Sequence, residues 1–170
     1  MGLAVLALVQ ITTLDFDLPC HFSHQFIFFS APFLAYNFIK FHRFLWEGIG
    51  RKIKGLVFLM GFTVFSIFLI VGVGLQLPLS SQIILFSTLL LVLLYCLPLP
   101  GFTLNFRGFK GLKIHLVALS WVLITVFLSL SMGGQNTSEF SLVYAFQRYL
   151  FVLVATLPFE IRDLKSDDPH

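Results

Sequence analysis

Glu160, Asp163 and Asp167 lie three and then four residues apart just past an apolar stretch, in a tail that runs Pro158, Phe159, Glu160, Ile161, Arg162, Asp163 and on to Asp168. If the helix of that stretch continues through them, they sit at about 0°, 300° and 340° around its axis, which is one face. Three carboxylates on one face repel each other, and a divalent cation bridging them to a polyphosphate is the usual relief. A solvated acidic helix end needs only the same residues and no ligand, so spacing alone leaves both readings open.

Arg148 is the second pointed residue, because it falls inside an apolar run. A charge at that depth is costly and normally faces a protein interior or a polar cavity, where it meets a headgroup, a carboxylate or a bound acceptor. The plainer expectation is a buried structural pair with Glu139 or a bond to a helix-end carbonyl. Other reactive residue types give less. His21 and His24 are spaced i, i+3, but no third ligand is within sequence reach and a polar turn explains them. Cys20 and Cys96 are expected near opposite ends of the helices that carry them, too far apart for a disulfide, and so to be free thiols. There is no Gly-rich phosphate loop and no Cys/His quartet with zinc spacing.

The elements that must position these residues are apolar runs. The chain has 170 residues, 58% hydrophobic and 11% charged, with a mean hydropathy of +0.94, outside the usual mix of soluble domains. Six runs stand out, at roughly Met1 to Leu14, Phe26 to Leu45, Gly55 to Leu77, Gln82 to Pro98, Ile114 to Met132 and Ser141 to Phe159. Each approaches the length a helix needs to cross about 30 Å of hydrocarbon. Stretches such as Ile83 to Leu97 do not alternate apolar and polar residues, which argues against membrane strands. The expected fold is all-α: one polytopic transmembrane bundle of about six spans over residues 1–170, with short connections and antiparallel neighbours. Gly55, Gly61, Gly72 and Gly74 in the third run are expected to let helices approach closely.

Basic residues set the orientation. Lys40, Arg43, Arg51, Lys52 and Lys54 surround the second connection, Arg107, Lys110 and Lys113 the fourth, and Arg162 and Lys165 follow the sixth run. That is ten of the 11 Lys and Arg residues. Connections one, three and five hold no Lys or Arg, only Asp15, Asp17 and Glu139 as charges. The basic connections and residues 160–170 are therefore expected in the cytoplasm, of a plasma (inner) membrane, and by parity the first run begins there. The first run has no basic leader, so a cleaved signal is disfavoured. It is short, about 21 Å at 1.5 Å per residue. With the abrupt acidic end, this leads to the expectation of a piece of a longer chain. Topology also accounts for the pI of about 9.0, and no nucleic-acid partner is expected.

With its preceding proline and its place after a sixth span, the pattern ExxDxxxD at Glu160, Asp163 and Asp167 resembles the second Asp-rich motif of the UbiA-type intramembrane prenyltransferases. The resemblance implies the first six helices of a nine-helix bundle, with Mg²⁺ held by Glu160, Asp163 and Asp167. Asp163 and Asp167 would serve catalysis, transferring an isoprenyl group from an isoprenyl diphosphate to an acceptor. The family's first motif, NxxxDxxxD near the end of the second helix, is kept only at Asn37: Phe41 and Leu45 take the places of its two acids. Lys40, His42 and Arg43 stand beside it, and such cations can hold diphosphate directly. The diphosphate set is then Asn37, Lys40, Arg43 and Arg148; the same cations also serve as positive-inside anchors. Twenty-two phenylalanines fit an isoprenoid tunnel and fit lipid-facing packing equally. The alternative is a non-catalytic six-span protein: a degenerate relative, a carrier or an assembly subunit. The scarcity of polar residues along the runs, mainly Gln10, Asn37, Gln147 and Arg148, argues against an ion or sugar pathway.

Overall fold

A computed structural model describes residues 2–19, 25–34, 54–96 and 111–166, with side chains over the same ranges except 54–60, 62, 69, 95–96, 113, 159 and 162–166. Among the described residues the chain is all helical, in six helices and no strand. They are α1 (Gly2–Asp15), α2 (Gln25–Leu34), α3 (Lys54–Gly74), α4 (Leu79–Cys96), α5 (residues 112–132) and α6 (Glu139–Ser166). Helix forms here because each long apolar run can satisfy its backbone N–H and C=O groups within the segment. Two helical stretches, Ile114–Met132 and Glu139–Pro158, are long and apolar enough to cross a membrane.

The core is built around α5. Its Ile124 and Leu128 pack with Val5 and Val9 of α1, Ile27 and Phe28 of α2 and Leu77 after α3. On another side its Val122, Val126 and Leu130 meet Leu18 and Ala145. Helices α1 and α6 run antiparallel in a fixed register: Asp15 meets Tyr144, Thr12 meets Arg148, and Leu8 clusters with Val152. Seven residues back along α1 match eight forward along α6, about two turns against two.

Three chain reversals gather at one pole, and their caps interlock. Helix α1 ends with Asp17 in the left-handed region (φ 49°), Asp17 N–H donating to Leu14 O and Leu18 N–H to Thr13 O. That is the Schellman pattern. Helix α5 ends the same way, with Gly134 at φ 73° and bonds from Gly134 to Ser131 O and from Gln135 to Leu130 O. Gln135 Nε2 then donates to Phe16 O at 3.1 Å, while Leu18 packs on Gly133 so closely that a Cβ there would lie 2.7 Å from Leu18 Cδ2. Ser138 and Ser141 cap the start of α6 reciprocally, each hydroxyl accepting the other's backbone N–H, at 2.8 and 3.3 Å, a capping box with serine in the glutamate place. Gln82 on α4 donates to Leu77 O at 2.9 Å and Leu75 O at 3.3 Å after α3. Ser131 bonds both Ser80 and Ser81, at 2.7 and 2.8 Å, tying α5 to α4.

The last apolar run ends at Phe159, and the helix that carries it, α6, continues through Pro158 to Ser166, the continuation on which the shared carboxylate face depends. Proline lacks only the N–H that would reach Val154 O, and one missing bond does not end a helix of this length. Among the described residues nothing lies within 4 Å of a Cβ position at Gly61 or Gly72, and Gly74 comes within 3.8 Å of Leu85; the surroundings of Gly55 lie outside the description. Within α5, residues Leu123–Leu128 form a π-helix, which widens the helix locally. Thr125 Oγ1 donates to Trp121 O at 2.8 Å and Ser129 Oγ to Thr125 O at 3.1 Å. The side chains of Cys20 and Cys96, and both His21 and His24, lie outside the described residues.

Candidate functional site

Helix α6 carries both pointed features of the sequence. At its far end Glu160 is half-buried, and the backbone is helical through Asp163. The two residues are about 4.5 Å apart along the axis and about 60° apart around it, so the condition for a shared carboxylate face is met as far as the described helix runs. The Asp163 side chain and all of Asp167 lie outside the description, as do Asn37, Lys40 and Arg43. Among the described residues no group of three His, Cys, Asp or Glu side chains stands close enough to hold a metal ion. Glu160 and Asp163 offer hard oxygen donors, the kind Mg²⁺ takes.

Arg148 lies elsewhere on the same helix. Twelve residues before Glu160, it is about 18 Å away along the axis, and the structure does not bring it to the carboxylates. Arg148 is 7% exposed. Its Nη2 donates to Tyr144 Oη at 2.5 Å and to Thr12 Oγ1 at 3.3 Å, and the guanidinium carbon lies 5.2 Å from the centre of the Tyr144 ring. Tyr144 Oη in turn donates to Asp15 Oδ2 at 2.8 Å. The result is a relay of Asp15, Tyr144, Arg148 and Thr12 across the α1–α6 contact. The expected pair with Glu139 does not form, because nine residues place Glu139 about 13 Å away and on the opposite face of the helix. Side chains on a helix lean toward its N-terminus, which carries the guanidinium toward Tyr144 and the capped pole.

Why Thr12 and Tyr144 belong here follows from local structure. Thr12 is fully buried and donates its own hydroxyl proton to Leu8 O at 3.0 Å, which leaves its oxygen lone pairs to accept from Arg148. Tyr144 is one turn before Arg148 and edge-on to Phe16, with ring centres 5.1 Å apart. Neither residue stands out in the sequence reading. The available signal was the i, i+4 spacing of Tyr144 and Arg148, together with a buried threonine opposite them that could be placed only once the α1–α6 register was known. A second polar contact also went unread: His115 Nδ1 and Tyr149 Oη are 2.5 Å apart, with the rings stacked at 6.2 Å.

The chain matches no protein-family model, no curated protein and no solved structure. Its reading therefore stands on its own residues and geometry.

Proposed function

We propose that this chain is a six-span membrane protein of UbiA-like type that binds an isoprenyl diphosphate, with Mg²⁺, at the pole carrying Glu160, Asp163 and Asp167. The membrane part rests on an inside-out distribution of side chains. Phe68, Leu14, Leu3, Phe86, Phe140, Val143, Phe146 and Val154 are all more than 60% exposed, while Thr12, Ser81, Thr125, Ser129, Ser141 and Arg148 are buried. Water would penalise so much exposed apolar surface, and hydrocarbon does not. The window Glu139–Pro158 is only 22% buried, unlike the core helix of a soluble domain. Helix α3 has 21 residues and α4 has 18, lengths of about 31 and 27 Å, which suit them to span as well.

The site reading is carried by one observation, the unbroken course of α6 past its apolar span. It sets Glu160 and Asp163 on one side of a helix, at the pole opposite the three capped reversals. In this reading Asn37, Lys40 and Arg43 hold the diphosphate oxygens and the carboxylates hold Mg²⁺, which would neutralise charge on the diphosphate. The basic pole faces the cytoplasm under the positive-inside rule, with the plasma (inner) membrane as host. Arg148, far from this pole, is released from the diphosphate set.

The test is equilibrium binding of a nonhydrolysable isoprenyl diphosphate analogue to detergent-purified protein, with Mg²⁺ and with EDTA, for the native chain, Asp163→Asn and Lys40→Ala/Arg43→Ala. Mg²⁺-dependent binding that Asp163→Asn abolishes and the double variant weakens is the expected result. Absence of binding in every condition removes the prenyltransferase reading and leaves the non-catalytic six-span alternative.

A further inference from the structure

Arg148 is the one basic residue of 11 that the partition of charge between the poles does not explain. The other ten border the second and fourth connections or follow the sixth run; Arg148 reaches toward the pole whose other charges are Asp15, Asp17 and Glu139. A buried arginine with a purely structural role is usually saturated by a carboxylate or by several carbonyls. Here a single nitrogen, Nη2, takes both bonds, and both acceptors are neutral hydroxyls. No described Asp or Glu pairs with it directly: Asp15 is held one hydroxyl away by Tyr144. Nε and Nη1 donate to no described residue. Arg148 is 7% exposed, and Ser66 Oγ alone is fully buried without a partner among the described residues, so Nε and Nη1 keep a small exposed surface.

The depth of this opening limits what can fill it. Asp15 is exposed and ends α1, and Thr12, which touches Arg148, is about 4.5 Å below it along the helix. Arg148 therefore presents its uncommitted N–H groups roughly one turn under the pole, within reach of the headgroup layer of a bilayer. We infer that Arg148, oriented by Tyr144 and Thr12, forms a binding site for the phosphate of a membrane-lipid headgroup at the pole formed by residues 16–19, 75–78 and 133–138. The site rests on the membrane reading above but is independent of the isoprenyl diphosphate site, which lies at the other pole. Tyr144 gives it a particular electrostatic design: by accepting from Arg148 and donating to Asp15, it keeps the carboxylate from closing on the guanidinium, so the remaining donors stay available.

The experiment is a native mass-spectrometry titration of the full chain in neutral detergent with phosphatidylglycerol, with diacylglycerol of the same chains as a phosphate-free control and inorganic phosphate as competitor. Insertion into lipid vesicles is checked in parallel by resistance to alkaline carbonate. One tightly held phosphatidylglycerol, no comparable diacylglycerol adduct, and an affinity that falls about tenfold in Arg148→Gln are expected. Asp15→Asn, an exposed change that leaves the contacts of Arg148 in place, is expected to tighten binding about twofold by removing a nearby negative charge. Failure of Asp15→Asn to tighten binding refutes the site even if Arg148→Gln does not fold. Equal affinity in native and Arg148→Gln protein, or no tightening in Asp15→Asn, overturns the site. Displacement of the lipid by millimolar inorganic phosphate overturns the lipid as its source. A chain that does not insert overturns this site and the membrane reading together, whereas an inserted chain with unchanged affinities overturns only the site.

Discussion

Tyr144→Phe removes one oxygen and tests the relay that joins α1 to α6. In the folded protein that oxygen accepts from Arg148 at 2.5 Å and donates to Asp15 at 2.8 Å. The first bond is to a buried cation, the class worth about 1.5–3 kcal/mol net in soluble proteins. Polar contacts within membrane bundles average about 0.6 kcal/mol and reach about 1.7. The second bond ends on an exposed carboxylate and adds at most a few tenths. Taking the upper membrane value for the first, Tyr144→Phe should destabilise the protein by about 2 kcal/mol. Thr12→Val should cost about 0.5 kcal/mol, because its bond to Arg148 is 3.3 Å long and valine keeps the packing. The assay is reversible unfolding in mixed micelles, followed by near-UV circular dichroism. A double-mutant cycle with Arg148→Met should recover most of the Tyr144 effect as coupling energy. If Tyr144→Phe costs less than Thr12→Val, or the coupling with Arg148 is near zero, the relay does not hold the two helices together and the guanidinium is placed by packing alone.

Other substitutions read the capped pole and the sidedness of the chain. Gly133→Ala drives a Cβ to 2.7 Å from Leu18 Cδ2 and should cost about 1–2 kcal/mol by overpacking, with Leu18→Ala in the same chain relieving most of the clash; thermal unfolding of the three variants checks this. Asp17→Gly should raise stability by about 0.5 kcal/mol, since Asp17 holds φ 49°, which glycine adopts without strain. Ser66→Ala should be neutral or slightly stabilising in the same assay, because Ser66 Oγ is buried with no partner and its loss forfeits no hydrogen bond. With Cys20 and Cys96 replaced, Thr137→Cys and Lys110→Cys should label from opposite sides of sealed vesicles with a membrane-impermeant thiol reagent; labelling from the same side refutes the alternating topology.

The helices were legible because their signal is one of composition. Long apolar runs without alternation favour helix, so α1, α3, α4, α5 and α6 begin within a few residues of the apolar runs that predict them. Ends were harder to place. Spacing alone left open whether the helix passes Pro158; α6 runs on to Ser166, since a single missing N–H is a small loss beside the bonds on either side of it. The π-turns at Leu123–Leu128 left no mark in the sequence; they lie where α5 packs against α1, α4 and α6. The partner of Arg148 was equally hidden. Glu139 is nearby in sequence and opposite in charge, but it faces away; Tyr144 lies at i−4 on the same helix, while Thr12 needed the antiparallel register of two helices distant in sequence.

Two features of α6 have different physical warrants, and this separates the chemistry from the frame. At the capped pole each reversal is closed by its own residues: Schellman turns at Asp17 and Gly134, the reciprocal serines before α6, and Gln82 over the carbonyls that follow α3. Leu18 and Gln135 lock two of those caps to each other. A side chain hung from such a frame is held in place by short local contacts, so the position of Arg148 is set by Thr12 and Tyr144 within a single turn of the pole. Glu160 and Asp163 are three residues apart on α6, and helix geometry fixes the angle between them but not their distance from any other helix. A ligand bridging several elements is what such an end requires to become a defined site. The expectation is that a diphosphate with Mg²⁺ slows amide hydrogen exchange in residues 158–166 and leaves residues 139–150 unchanged, while phosphatidylglycerol does the reverse. Equal protection of both segments by either ligand would mean that α6 responds as one rigid rod and that the two poles do not act separately.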